Sequence, residues 1–430
     1  MVQSGCAFSR ARPFALIGCA ALVAGAVIAV PSAASAAVLS CGATVRTSVV
    51  LTANLDCSSD SSSSALNIGA AGVAVNLNGY KIVGPGSAVS TEGIADAGYN
   101  HVAIGNGTIS GFSTAVDLEG VSSNALLNGA DLTALTVTNS DTGVNTNYVS
   151  RIKVSRSSFD TNSVAVNFNF DISGVATYNR VTTPGTAFID TNGTSDTLAN
   201  NVIALVNGQG CTGFYIEGTT SELIQRNSVD GRMGCSGTGI SDMFSGGQIT
   251  TGNTLNYLAT GIYESDIDGV VSANYGIHDY YGIYEGGAIG IRYLDNHFNW
   301  GDYGIYVYDP GGTFLSGNVT NHNANAGVYI FVDSVYCGPC TAKLINNTAE
   351  HNGLGLYSQV PTTGYGNFAE FNPIIDCHNV VCVPPPPSSG SNLSLGQVAN
   401  PSRARSPAQF FPFLVSPLAA RLSAQRRRGR

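Results

Sequence analysis

Along most of the chain a small residue followed by an apolar one, often Gly-Ile or Gly-Val, recurs at Ile94, Val116, Val144, Val166, Phe188, Phe214, Ile240, Ile262, Ile283, Ile305, Val328 and Leu356. The successive spacings are 22, 28, 22, 22, 26, 26, 22, 21, 22, 23 and 28 residues. A period near 22 with occasional insertions indicates a solenoid. Between these markers lie runs of three to five alternating residues, as in Gly304-Ile305-Tyr306-Val307-Tyr308, separated by Gly, Asn, Asp and Ser. No stretch carries the apolar period of a helix. Each repeat therefore reads as three short strands bent around one coil. A second column supports the register: asparagine recurs at Asn179, Asn201, Asn227, Asn253, Asn274, Asn296, Asn318, Asn347 and Asn367, usually 13 residues after the apolar marker. Coils stacked about 4.8 Å apart pair each strand with those above and below. Stacked asparagines can then bond to one another and to the turn backbone, so this column has a structural explanation.

Composition agrees with a strand-and-turn protein. Only 11% of residues are charged, 52 are glycine, and 43% are hydrophobic, enough to fill a large core. The net charge of -9 hides a division, because residues 37–400 hold all 28 acids against ten Lys and Arg, a net of -18. Such a body repels nucleic acid and anionic membranes, so neither is expected as a partner.

The two ends stand apart from the repeat. Arg10 and Arg12 precede an uncharged run from Pro13 to Val30, and Ala34-Ser35-Ala36 has the small residues of a cleavage site. Residues 1–36 read as a secretory signal. Leu16-Ile17-Gly18-Cys19 is similar to a lipoprotein box and Ser9-Arg10-Ala11-Arg12 to a twin-arginine signal. Against these, the apolar run continues past Cys19 and the two arginines are not adjacent. No other stretch reaches the roughly 18 apolar residues of a membrane span. Residues 37–383 are the expected solenoid, with 37–66 as its N-terminal cap. Residues 384–430 begin with Pro384-Pro385-Pro386-Pro387 and end with Arg426-Arg427-Arg428-Gly429-Arg430. They read as a disordered tail.

Eight cysteines remain beyond the signal, in close pairs: Cys41/Cys57, Cys211/Cys235, Cys337/Cys340 and Cys377/Cys382. Four local disulfides fit an exported protein, extracellular and either free or wall-associated. Cys337-Gly338-Pro339-Cys340 copies a redox motif, but its flanks read as strand and turn rather than the helix N-terminus that such chemistry needs. No pair has a second Cys or His pair at zinc-ligand spacing.

A coil of about 22 residues resembles the right-handed parallel β-helix of the pectate-lyase-like superfamily, over roughly residues 41–380. The opening segments Cys41-Gly42-Ala43-Thr44-Val45, Val49-Val50-Leu51-Thr52-Ala53-Asn54-Leu55-Asp56-Cys57, Val75-Asn76-Leu77-Asn78-Gly79 and Asn106-Gly107-Thr108-Ile109-Ser110-Gly111-Phe112 are similar to secreted bacterial β-helix repeat proteins. The resemblance implies an all-β fold and carbohydrate binding or sugar hydrolysis. The superfamily's enzyme motifs match poorly. Arg151-Ile152-Lys153 lies early in the chain with no Gly-His-Gly anywhere, and there are only three lysines, Lys81, Lys153 and Lys343. An ordinary polygalacturonase or pectate lyase is disfavoured.

Candidate chemistry concentrates in the repeats from residue 242 to 308. One residue beyond each marker stand Tyr215, Ser241, Tyr263, Tyr284, Tyr306, Tyr329 and Tyr357, a column that alternation directs outward. Five residues before three markers stand Tyr257, His278 and Trp300. Tyr257, Tyr263, Tyr284, Trp300 and Tyr306 are the expected glycan contacts, since aromatic faces stack on sugar rings. The rival expectation is that the tyrosines merely stabilise one face. His278-Asp279 offers an oriented general base. Two residues beyond the marker, Asp242, Glu264 and Glu285 form an acidic column that alternation directs inward. Such acids turn apart, bind calcium, or keep a proton as general acids. The sequence thus predicts a secreted right-handed parallel β-helix that interacts with polysaccharide as a binding or structural protein. The alternative is a polysaccharide hydrolase, lyase or epimerase.

Overall fold

A computed structural model describes residues 35–383 apart from 209 and 334–339. Residues 1–34 of the expected signal segment 1–36, the tail from residue 384 and Cys337 lie outside the described residues. The chain winds into a right-handed parallel β-helix of about 15 coils, with no helix among the described residues.

The first face is one sheet of 15 parallel strands, one per coil, from Ala43–Val45 to Ile375–His378. Every apolar marker pairs with the next, from Ile94 against Val116 to Val328 against Leu356, despite the longer spacings. All twelve are buried. The insertions therefore leave through the turns and do not shift the register, because a one-residue slip would turn each marker out into solvent. The second and third faces join into a single 24-stranded sheet, since Val102–Ser110 and Leu127–Thr138 run through both. Further along, the two faces separate into strands such as Leu223–Gln225 on the second and Ser228–Met233 on the third. Residues 37–66, expected as a cap, already take part in the coil: Ala43–Val45 pairs with Ser64–Ile68 and Val49–Leu51 with Ala74–Asn76.

The asparagine column occupies the turn between the second and third faces. Each coil enters that turn through a residue in the left-handed region, which is glycine at Gly252, Gly317 and Gly366 but Tyr178, Asn200, Arg226, Ala273, Asp295 and Asn346 elsewhere. The asparagine that follows is buried and offsets the unfavourable backbone. Asn253 is typical. Its backbone N–H and Nδ2 donate to Asn274 Oδ1 at 2.9 and 3.0 Å, and Nδ2 also donates to the Ile224 carbonyl at 3.0 Å. Its Oδ1 accepts from the N–H and Nδ2 of Asn227 at 2.9 and 3.1 Å. The ladder runs unbroken from Asn179 to Asn367.

Disulfides join Cys41 to Cys57, Cys211 to Cys235 and Cys377 to Cys382, with Cα atoms 5.8, 6.4 and 6.5 Å apart. Cys340 is also disulfide-bonded.

Truncating one ladder asparagine strands several buried polar groups at once. Asn253→Ala should lower unfolding free energy by about 2–4 kcal/mol, whereas Asn124→Ala, on an exposed loop, should change it by less than about 0.5 kcal/mol. Denaturant midpoints of the two variants check this, and equal small effects would contradict a hydrogen-bonded ladder.

Candidate functional site

The outward column of the first face forms as the alternation requires. Tyr215, Ser241, Tyr263, Tyr284, Tyr306, Tyr329 and Tyr357 are register partners in succession, followed by His378. From Tyr263 to His378 adjacent rings lie 4.8–5.6 Å apart and within 13° of parallel. A ring stacked on its neighbours above and below presents only an edge and a hydroxyl to the outside. Tyr281 and Tyr303 close the side of this stack, meeting Tyr306 edge-on at 5.5 and 5.4 Å. Tyr306 is 2% exposed as a result. Burial pushes the Tyr284 phenol up to about 12, with Tyr263 the next cause, so its hydroxyl stays protonated. The structure thus brings Tyr263, Tyr284 and Tyr306 together, with both ring faces of Tyr284 and Tyr306 against other tyrosines and so not open to a stacked sugar. Each such pair contributes about 0.5–1.5 kcal/mol to the fold beyond its area burial.

The turn from the third face into the first behaves differently. Each of its coils passes through one left-handed residue, and from residue 257 onward these are Tyr257, His278, Trp300, His322, His351 and Phe371. The side chains stand outside the wall in a single file. Tyr257 and His278 are 4.9 Å apart, Trp300 and His322 are 4.1 Å apart and nearly parallel, and His351 meets both His322 and Phe371 edge-on. Arg232 caps the file, its guanidinium 5.4 Å from the Tyr257 ring centre. Trp300 is 54% exposed and Phe371 65%. Tyr275, Tyr280 and His297 are exposed beside it. Asp302 lies on the same edge, held above the usual carboxylate range by burial and accepting from Asn325 Nδ2 at 3.2 Å. Glu350 and Glu370 are neighbours further along. Tyr257, His278 and Trp300 were legible in the sequence. His351 stands five residues before Leu356, so extending the same count would have found it, while the 23-residue spacing to Val328 displaces His322 by one position.

The expected His278-Asp279 pair does not form, because the turn puts consecutive residues on opposite sides of the wall. His278 is outside, with Nδ1 3.1 Å from the Trp300 carbonyl. Asp279 is inside, accepting the Leu258 N–H at 2.9 Å, and burial raises its carboxyl well above the usual range. It has the role that Asn323, Asn352 and Asn372 take in later coils, where each side chain accepts the backbone N–H of the coil before.

Asp242, Glu264 and Glu285 are register partners and sit wholly inside the β-helix. Thr313 Oγ1 donates to Glu285 Oε1 at 2.6 Å, and burial pushes the Glu285 carboxyl up to about 8. Glu264 and Glu285, considered as general acids, therefore face the interior rather than the outer surface. The same inner corner, between the first and second faces, also holds Asp171, Asp190, Asp196 and Glu222, which the sequence reading passed over. Among the described residues no Lys or Arg is buried to balance them. Among the described residues, the three acids whose ligand oxygens all lie within 4.8 Å of one another are Asp190, Asp196 and Glu222; the column Asp242, Glu264 and Glu285 does not form such a group.

Glu285 makes stability depend on pH in a definite direction. Its carboxyl is raised in the folded state, so its contribution is complete below the unfolded value near 4.5 and is lost as pH rises toward 8. The thermal midpoint should fall between pH 5 and pH 8 in the wild type, and the fall should be smaller in Glu285→Gln. Equal slopes in scans of the two proteins would show that Glu285 is not the neutral acid its surroundings require.

No protein-family model matches the sequence, and no curated protein matches it. Solved structures do. The A-module of the mannuronan C-5 epimerase AlgE6 of Azotobacter vinelandii is 15% identical, with 79% of this chain and 92% of that chain covered at a TM-score of 0.47. The periplasmic alginate epimerase AlgG is 13% identical, covering 77% of this chain and 78% of its own at 0.41. The catalytic domain of a GH87 alpha-1,3-glucanase, in complex with nigerose, is 11% identical, covering 75% of this chain and 64% of its own at 0.44.

Proposed function

We propose that the protein binds polysaccharide along the turn edge that runs from Tyr257 through Trp300 to Phe371. The observation that carries this reading is the exposure of large aromatic side chains in one contiguous file. Soluble proteins rarely leave such a patch uncovered unless it meets a partner. Its neighbours are hydrogen-bonding groups, among them Asp302, Asn325, Glu350 and Glu370, which suit the hydroxyls of a glycan. With a net of -18 on residues 37–400, a neutral or basic polymer is favoured over a polyanion. The stacked tyrosines of the first face stiffen the wall behind this edge. Three disulfides among the described residues support export to an oxidising compartment.

A second reading, that the edge modifies the polysaccharide it binds, rests on Asp302. Its raised carboxyl lies two residues from Trp300 and fits a general acid beside a bound sugar.

Affinity electrophoresis through gels containing a panel of polysaccharides separates these readings when combined with assays for new reducing ends and unsaturated products. Trp300→Ala should weaken binding of the retarding polymer about tenfold or more, the cost of a central aromatic anchor, and leave the thermal midpoint within a few degrees. Tyr306→Ala should instead lower the midpoint while the folded fraction still binds. Unchanged retardation of Trp300→Ala would contradict the proposed edge. Product formation abolished by Asp302→Asn would establish the enzymatic reading.

A further inference from the structure

The acids of the inner corner divide by geometry. Asp190 stands in the same first-face column as Asp242, Glu264 and Glu285, with Ile216 between it and Asp242, but its oxygens converge with those of Asp196 and Glu222 from two other chain segments. Asp190 comes from the strand Thr186–Thr191 on the first face. Asp196 lies just before the strand Thr197–Ala199 of the same coil, and Glu222 just before Leu223–Gln225 of the next.

Two of the three carboxylates are oriented by backbone. The Gly174 N–H donates to Asp196 Oδ1, and the Asp196 N–H donates to Glu222 Oε2 at 2.8 Å. Their other oxygens, Asp196 Oδ2 and Glu222 Oε1, are buried without a hydrogen-bond partner. Asp190 is 0% exposed and accepts no N–H or O–H from backbone or neutral side chains; its side-chain partner is the carboxyl of Asp196. Its direction is fixed by Gly193: a Cβ there would lie 2.4 Å from Asp190 Oδ1 and 2.5 Å from Asp196 Oδ2. Both side chains therefore fill the space a side chain at 193 would need, and they point at each other. One coil further on, Gln248 is buried with both side-chain polar atoms unpartnered. It directly precedes Ile249, the register partner of Leu223, so it stacks beside Glu222.

Carboxyls that meet one another in a sealed space, with no buried Lys or Arg among the described residues to balance them, require a positive charge or shared protons, since burying an uncompensated charge is prohibitively unfavourable. We propose that Asp190, Asp196 and Glu222 bind one calcium ion inside the β-helix, fastening the corner between the first and second faces. The donors are all oxygen, which selects a hard cation over zinc or copper. Three carboxylates, each able to use one or both oxygens, with the Gln248 carbonyl oxygen beside them, suit the variable coordination of calcium. Magnesium retains several waters and demands a regular octahedron, which a corner closed by Gly193 does not accommodate. The site lies away from the polysaccharide edge, so its role is to hold the fold together. The wall is closed around it, so the ion enters as the coils assemble and does not exchange readily afterwards.

The test uses the full chain with disulfides intact, unfolded in guanidinium and refolded either with calcium chloride or with a calcium chelator, then desalted. Elemental analysis should find about one calcium per chain in the first preparation and almost none in the second, and the first should unfold at a midpoint higher by about 5 °C or more. Glu222→Gln and, separately, Asp190→Asn should lose the calcium and the difference between preparations, while Asp242→Asn retains both. Wild-type protein refolded with calcium that contains none, or two preparations with the same midpoint, would overturn the proposal and leave protons as what neutralises the corner. The wild-type metal content decides the matter even if a variant does not fold.

Discussion

Coil-on-coil hydrogen bonding at a fixed pitch is the constraint on which the rest of this protein depends. Each strand satisfies its backbone by pairing with its counterpart one coil away, so every position belongs to a column whose neighbours are set by register rather than by chain proximity. The twelve apolar markers remain partners across spacings from 21 to 28 residues because the alternative exposes them. A polar residue inside the coil must likewise be satisfied by its own column. The asparagine ladder does this at the turn between the second and third faces, each side chain binding both the next asparagine and the backbone.

The same constraint sorts candidate chemistry by side of the wall. On the first face, stacking at coil pitch turns tyrosine rings against one another, and a surface that looks rich in aromatic faces is mostly edges and hydroxyls. At the turn into that face the left-handed residue breaks the alternation and carries its side chain out into solvent. There the aromatic groups keep exposed area, which is why the proposed binding surface is the edge from Tyr257 to Phe371 rather than the tyrosine stack. Acids placed two residues after a marker go inside, away from any polymer. The interior therefore serves stability, and the turn edge is where the proposed recognition takes place.

Much of this was legible in the sequence. The period, the three-strand coil, the asparagine column and the outward tyrosine column all follow from one-dimensional counting, because parallel stacking in register converts sequence spacing into spatial adjacency. What counting did not yield has physical reasons. Ring orientation depends on the contact between coils, so the covered faces of Tyr284 and Tyr306 were hidden. Alternation fails at a left-handed turn, so His278 and Asp279 were paired in the sequence reading and separate in space. Asp190, Asp196 and Glu222 meet across a corner from positions two and eight after their markers, a relation that becomes visible once two columns are folded toward each other.

Trp300 is the single tryptophan of the chain and stands in the middle of the proposed binding edge, which makes collisional quenching by acrylamide the most direct measurement of recognition there. Its fluorescence should be readily quenched in the free protein, as its exposure requires, and should become several-fold less accessible when a retarding polysaccharide is added to saturation. A polysaccharide that binds the protein fully and leaves the quenching of Trp300 unchanged would place recognition elsewhere on the β-helix.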